Sequence, residues 1–491
     1  MKRLSFTITI MALSITSLMA QTAVDALRYS RIVPGGTARF VSMGGAFGAL
    51  GGDFSMLSTN PGGIGLYKSS EFTITPSVFA GSTQTDYRGI ENKDYRVNFN
   101  LGDIGLVFTK KMESKFNTSG WKAVQFGIGL NRLNDFNNRM ELSGSTSPSS
   151  ILDVYTAYAN DNNINYSDIE GDPYYDYAYD LNPAWWTYLL DTLGGPSSYV
   201  NPILQSGSNQ RMSITSWGSM NEFVIGFGGN YNDRVYIGAS FGIPYIRYFE
   251  ESDYTENLPG PANDMYQFTI HRELETRASG INFKLGLIGR PADWLRIGAA
   301  IHTPTFYTNI RDRNVALFDS RFKTPDLYGY TSYFHSNTWT KSYELTTPFR
   351  ALGSIAFIIG KIGLVSVEYN YTDYSQARFR YVSSYVNDDI RNGYRPTHNF
   401  KAGTEWRYGL ISLRLGYAYN SSPYQGDIND GTMHIYSGGL GFNFRNYFLD
   451  LAYAYSKYTE DYYLYSYGPY EAKAVNDIIG QRYLLTFGAR F

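Results

Sequence analysis

Residues Arg39–Ser70 read RFVSMGGAFGALGGDFSMLSTNPGGIGLYKSS. Glycine recurs here too often for a stable helix. No period-2 alternation runs through the stretch, as a strand would need. It closes on Asn60-Pro61-Gly62-Gly63, and regular, strand-like sequence begins immediately after it. The reading that joins an irregular, compact piece to a long β region is a plug, residues 21–70, seated in a β-barrel, residues 71–491.

The alternation beyond residue 70 supports that reading. Val124, Phe126, Ile128 and Leu130 alternate with Gln125, Gly127, Gly129 and Asn131. Ile411, Leu413, Leu415, Tyr417 and Tyr419 alternate with Ser412, Arg414, Gly416, Ala418 and Asn420. Each such segment has one apolar face and one small or polar face, as a strand between lipid and lumen requires. Strands are expected at 71–83, 96–109, 121–133, 218–230, 234–248, 276–290, 294–310, 345–360, 362–380, 396–408, 410–421, 432–445, 447–458 and 480–491. That makes about fourteen, an even number, as a single-chain bacterial barrel needs. Short connections such as 230–234, 360–362 and 445–447 alternate with long ones that start at 135, 251, 311, 380, 421 and 459. Short periplasmic turns and long outer loops produce this pattern. The fold class is therefore all-β: a transmembrane antiparallel barrel with an N-terminal hatch.

Composition agrees. Tyr (45), Phe (30) and Gly (49) are abundant while charged residues make up 18%, which suits aromatic girdles and tight turns. A net charge of −2 offers no basic surface for nucleic acid. Residues 1–20, MKRLSFTITIMALSITSLMA, have a basic start, an apolar core and a small residue at the cut, so they read as a signal peptide. The longest apolar run after it, Ala351–Val367, is broken by Gly360-Lys361-Ile362-Gly363, a turn between two strands. An exported chain of this kind is expected in the outer membrane of a Gram-negative cell, as a monomer in contact with membrane lipid.

The largest outer connection, 134–217, is expected to hold a helix. Asn182 would cap it, Pro183 would take the first position and Ala184–Leu193 would follow. Trp185, Trp186, Leu189, Leu190 and Leu193 would then form an apolar surface, either a loop core or a ligand groove. The chain ends on Phe491 after Tyr483, Leu485 and Phe487. A terminal aromatic on a lipid-facing strand resembles the signal that barrel-assembly machinery reads, which makes that machinery an expected partner.

Two patches carry a family likeness. Ser58-Thr59-Asn60-Pro61-Gly62-Gly63 is similar to the Asn-Pro-Ala sequence of the hatch in the long-chain fatty-acid transporter FadL and its TodX-type relatives. Phe400–Arg407 followed by Leu413–Pro423 resembles a late hairpin of that family. Gly62 departs from the pattern, standing where the family usually has Ala. The resemblance implies passive uptake of hydrophobic small molecules, such as long-chain fatty acids or aromatic hydrocarbons. It also implies a gating hatch at Asn60, Pro61, Gly62 and Gly63, and sideways exit where the third strand kinks inward. Alternation in the third strand is lost after Leu130, so Asn131, Arg132, Leu133 and Asn134 are the candidate opening. The other reading is that the strand ends there. At Asn60–Gly63 the stiff Asn-Pro corner beside two glycines reads as a hinge, or else as a plain turn into the first strand.

Enzymatic chemistry finds no support. The histidines His271, His302, His335, His398 and His434 show no paired spacing for a metal, and there is no nucleophile elbow or phosphate loop. No cofactor, metal or catalytic residue is expected. The inward faces carry Lys284, Glu368, Lys401, Glu405, Arg407, Arg414, Asp450, Arg482 and Arg490. A lumen this polar keeps two other functions open: a porin for polar solutes, or a structural or secretion-associated barrel that transports nothing.

Overall fold

Alternating residues on paired strands put one face in lipid and one in the lumen, and closure of the sheet removes its edges. The computed structural model describes residues 22–491 except 34, 113–119, 172–176, 178, 205–206, 327–328 and 427–428. The leader expected at 1–20 lies outside the described residues.

Fourteen antiparallel strands form the barrel. They are β1 (Glu71–Tyr87), β2 (Ile90–Lys111), β3 (Trp121–Asp135, resuming as Asn138–Ser147), β4 (Ser208–Tyr231), β5 (Val235–Asn257) and β6 (Met265–Ala292). Next come β7 (Leu295–His302, resuming as Phe306–Asp326), β8 (Trp339–Thr346, resuming as Arg350–Ile359) and β9 (Gly363–Asp373). The last are β10 (Pro396–Tyr408), β11 (Ile411–Asn420), β12 (Met433–Asn443), β13 (Tyr447–Tyr467) and β14 (Tyr470–Arg490). β1 pairs with β14 from Glu71↔Arg490 to Asp86↔Val475, and the circle closes. β7 and β8 are interrupted side by side at Pro304 and Pro348, which have no N–H for the ladder. There Thr305 and Thr347 bond each other instead, Thr347 N donating to the Thr305 carbonyl at 3.0 Å.

The membrane part follows the expected boundaries closely; the outer part does not. The connections expected from 251, 311 and 459 are strand. β5 runs on to Asn257, β7 to Asp326 and β13 to Tyr467. β1 and β2 likewise continue to a turn at Arg88-Gly89, both with positive φ. Beyond the membrane the strands keep pairing without keeping a lipid-facing apolar side, so the alternation that reveals a membrane strand fades while the hydrogen-bond ladder goes on. No helix among the described residues is long and apolar enough to cross a membrane.

The lumen is filled in three layers. At the short-turn end lies the hatch: α2 (Ala38–Ser42) and two 3-10 turns, Phe54–Ser58 and Pro61–Leu66, with Phe40, Phe47, Phe54, Met56 and Leu57 fully buried. In the middle, α1 (Ala23–Ser30) meets α6 (Ser384–Gly393), a helix that the β9–β10 connection folds inward. Leu27, Tyr29, Tyr248, Tyr307, Tyr343, Phe379 and Ile390 pack there as one cluster. At the long-loop end, α3 (Ile151–Asp161), α4 (Tyr166–Glu170) and α5 (Leu181–Trp186) cap the mouth over Phe268, Ile270, Phe318 and Tyr465.

Charge on the inward face is matched across strands. Glu405 receives Nε of Arg414 at 2.8 Å and Nε of Arg39, from the hatch, also at 2.8 Å; Arg407 adds a third contact at 2.5 Å. Arg414 also reaches Asp450 at 2.6 Å, and Lys284 meets Glu222 at 2.6 Å. Removing one partner of such a buried set leaves the others uncompensated and costs roughly 3–5 kcal/mol. Glu405→Gln is therefore expected to lower the temperature at which the folded, fast-migrating gel band disappears. An unchanged melting temperature would mean that water already screens the site.

Candidate functional site

Asn60 is completely buried and caps the second 3-10 turn, its Oδ1 accepting from Gly62 N at 3.0 Å. Its Nδ2 donates to the Gly48 carbonyl at 2.6 Å and, across to the wall, to the Leu287 carbonyl of β6 at 3.3 Å. Pro61 occupies the first helical position, where a missing N–H costs nothing. The two glycines have a different reason from the hinge expected of them. Neither has positive φ. A Cβ on Gly62 would lie 2.9 Å from the Gly286 backbone of β6, and one on Gly63 would lie 2.9 Å from the Met56 side chain. They are small so that backbone can lie on backbone. The positive-φ glycines of the hatch are Gly36, Gly44, Gly45, Gly51 and Gly52. In this structure the stretch is a capped 3-10 turn packed against the wall at β6.

Other bonds fasten the hatch around the wall. Ala38 N donates to Thr486 Oγ1 (2.7 Å), Gly44 N to Ser437 Oγ (3.0 Å) and Gly48 N to Glu368 Oε2 (2.7 Å). Ser240 Oγ donates to the Leu57 carbonyl (2.7 Å), and Asn131 Nδ2 to Ser58 Oγ (2.9 Å). These partners lie on β14, β12, β9, β5 and β3.

Asn131 also marks a change in the wall. β3 pairs with β2 from Lys111↔Ala123 to Asp103↔Asn131 and no further. From Ile90 to Gly102, β2 keeps only its β1 neighbour, and Tyr95, Val97 and Phe99 stand out, exposed. β3 bends inward and stays paired with β4, with a register shift between Arg132 and Asn134. The side-chain phase does not break at Asn131, as the sequence reading has it: Gln125, Asn131 and Leu133 all remain buried. The irregularity comes later, in the ladder, which side-chain pattern does not report. Nor does the strand end there, since it resumes as Asn138–Ser147.

The N-terminal segment occupies the bend. Val33 N donates to the Leu133 carbonyl and Gly35 N to the Arg132 carbonyl, each at 3.0 Å. Asn134 Nδ2 donates to the Arg31 carbonyl (3.1 Å), and Arg132 Nε to the Leu101 carbonyl of β2 (3.2 Å). Asn131, Arg132, Leu133 and Asn134 are thus brought together against the hatch side of the chain.

The same strap, Arg31–Val33, borders a lumenal cavity of about 140 Å3. Phe40, Val41, Leu352 and Ile435 give it apolar wall; Arg350, Lys401 and Arg482 give it cationic wall, and His302 adds a polar group. These heads hold groups of the plug or wall: Arg350 the Ser30 carbonyl, Arg482 the Val33 carbonyl (3.0 Å), His302 the Thr59 carbonyl (2.5 Å) and Lys401 the Glu368 carboxylate (2.9 Å). Sequence reading marked Lys401 and Arg482 as inward and missed Arg350 and His302. Their inward phase was legible from neighbouring Leu352 and Ala300, but their convergence was not.

The outer groove does not form as expected. α5 spans Leu181–Trp186 and begins after Asp180, which makes no side-chain capping bond, with Asn182 inside the helix rather than before it. Tyr188 has positive φ, and Thr187 Oγ1 folds back on the Pro183 carbonyl at 2.7 Å, so the helix stops well short of Leu193. Leu189 and Leu190 are core, Trp185 stacks on Tyr166, and only Trp186 and Leu193 are exposed. Burial pushes the Asp180 carboxyl up against the opposing effect of Arg272, its ion-pair partner. Phe491 is exposed just past the end of β14, its N–H on the Ser70 carbonyl at 3.0 Å. No cluster of three His, Cys, Asp or Glu able to hold a metal exists among the described residues.

Known structures share this architecture. The toluene transporter TodX of P. putida aligns with a TM-score of 0.54 at 13% identity, over 93% of this chain and 99% of that one. A FadL homologue of Pseudomonas aeruginosa gives 0.52 at 12%, over 94% and 100%. The toluene transporter TbuX of Ralstonia pickettii gives 0.50 at 14%, over 93% and 98%. No family model and no curated protein matches the chain. The fold is that of the FadL-type channels, a closed fourteen-stranded barrel with an N-terminal plug.

If the glycine seat holds the hatch, Gly62→Val should unseat it while the barrel still forms. Limited proteolysis of the folded, purified protein is expected to cleave within residues 35–70 of the variant and leave the parent intact. Equal resistance would show that the side chain is accommodated and the seat is not tight.

Proposed function

We propose that the chain is an outer-membrane channel for passive entry of hydrophobic small molecules, with short turns toward the periplasm and long loops outside. The observation that carries this is the bend of β3. A wall strand leaves its neighbour at Asn131, β2 is left without a partner on that side, and the strap that fills the bend also lines a cavity. A solute in the cavity would reach the outer leaflet side of the wall by displacing Arg31–Val33, without crossing the charged inward face. Toluene, carried by two of the similar structures, agrees with a cavity of this size, which approaches that of an engineered benzene-binding cavity of about 150 Å3.

The hatch acts in this reading as a stopper for water. Its seat on β6 and its ion pair to Glu405 hold it while the strap, tied by a few bonds, moves. Three filled layers in the lumen speak against a porin for polar solutes. A barrel without transport is the reading left if uptake is absent.

Cells carrying the protein are expected to take up a monoaromatic hydrocarbon or a long-chain fatty acid faster than cells lacking it, while purified protein in planar bilayers gives little steady conductance. Deleting Phe136 and Asn137 removes an even number of residues, keeps side-chain phase and straightens β3. Uptake per folded barrel should then fall. Steady ohmic channels without uptake would favour the porin, and an unchanged rate in the deletion would remove the bend from the pathway.

The terminal aromatic is assigned to assembly. Removing Phe491 should slow appearance of the heat-modifiable folded band in cells and leave export to the periplasm intact. Equal folding of the shortened chain would leave Phe491 without that role.

A further inference from the structure

The short-turn mouth encloses a second cavity, about 610 Å3, on the far side of the hatch from the first. The hatch underside roofs it with Leu50, Gly51, Gly52 and Leu66. Its charged lining is one-sided. Lys68, Lys111, Lys122, Lys361, Arg290 and Arg296 border it, and Asp233 is the one acid among its lining residues. Two further arginines there, Arg39 and Arg407, are each ion-paired to Glu405.

The six cations are not matched in that way. Arg290 shares the exposed Asp293 with Arg234, at 3.3 and 3.4 Å. Arg296 donates Nη1 to the Leu50 carbonyl at 2.7 Å, a neutral group. The Nε atoms of Arg290 and Arg296 are buried without an acceptor. The four lysines make no ion pair among the described residues. Elsewhere in the lumen, by contrast, Lys284, Lys401 and Arg414 each sit on a carboxylate. The largest connection at the opposite end is acidic: between 134 and 217 only Arg139 and Arg211 are basic, against Asp153, Asp161, Asp168, Glu170 and others.

We propose that this mouth docks an acidic segment of a periplasmic protein. The inference rests on the orientation given above and not on transport. The arrangement of the lysines sets the ligand class. Lys68 comes from the end of the hatch, Lys111 from the end of β2, Lys122 from the start of β3 and Lys361 from the β8–β9 turn. Flexible groups carried on four separate elements around a rim suit a ligand with several charges. A chain with several carboxylates can meet them together. Lysines on flexible stems suit such a ligand better than a fixed planar one, which calls for arginine forks. Gathered, solvent-exposed cations in a concave mouth also raise the local concentration of an acidic partner and speed its capture. A hydrophobic solute leaving sideways has no use for the site.

The test uses the full chain in non-ionic detergent and a fluorescent oligo-glutamate peptide, with oligo-glutamine as control. Saturable binding of the acidic peptide alone is expected, weakening steeply between about 50 mM and about 300 mM salt. Lys68→Gln, Lys111→Gln, Lys122→Gln and Lys361→Gln together should weaken it by about tenfold or more, with the heat-modifiable gel band retained. If that variant does not fold, the pair Lys111→Gln and Lys361→Gln should give a smaller loss in the same direction. Unchanged affinity in the folded variant overturns the proposal, as does displacement of the peptide by an equal concentration of phosphate or acetate, which marks a small-anion site. Orientation is read separately. The chain has no cysteine, so Lys361→Cys gives a single thiol. An impermeant maleimide should label it only after the outer membrane is opened. Labelling of intact cells would overturn the periplasmic partner even if the peptide binds.

Discussion

Backbone against backbone at Gly62 and Gly286 is the contact on which the interior depends. A fourteen-stranded wall encloses more space than inward side chains can fill, so another part of the chain must enter. It can lie flush with the wall only where neither surface carries a Cβ. The pattern recurs at Gly44, where a Cβ would lie 2.9 Å from the Tyr417 backbone of β11. A plug seated this way is fixed by shape, and the bonds from Asn60, Gly48 and Ala38 then fix its rotation.

The bend in β3 has a cost that the N-terminal segment offsets. Backbone groups turned away from a ladder are expensive where water is scarce. At Arg132 and Leu133 the carbonyls freed by the bend are met by Gly35 and Val33, and the Leu101 carbonyl of β2 is met by Arg132. These partners are not a continuous strand. The strap satisfies a few groups over a short stretch, where a wall strand would make a continuous ladder.

Charge in the lumen divides by function of place. Between the strands it is paired, Glu405 with three arginines and Glu222 with Lys284, and it holds the wall and hatch together. Around the upper cavity the cations hold backbone carbonyls of the plug. At the short-turn mouth four lysines make no ion pair among the described residues. The same residue types therefore serve as glue, as clamp and as open surface, and only their neighbours distinguish the three.

How much was legible follows from how far each interaction reaches along the chain. Period-2 alternation is local, so the outward faces of β3, β10 and β11, the turn at Gly360–Ile362 and the inward phase of Arg414 and Glu405 were set by the sequence alone. So was the plug, although the expectation that its glycines exclude helix was too strict: α2 and two 3-10 turns form in it, each of five or six residues and held by the wall. The continuation of β5, β7 and β13 beyond the membrane was not legible, since ladder bonds persist where the apolar face ends. α5 stopped early because Tyr188 turns to positive φ, a choice made by packing of Leu189 and Leu190 under the cap. Only the tertiary structure decided what Gly62 is for, where β3 leaves β2 and which cations share a cavity. Gly62 and Gly286, Val33 and Leu133, and Lys111 and Lys361 are each separated by a hundred residues or more, and nothing in a strand's own pattern records which distant backbone it will touch.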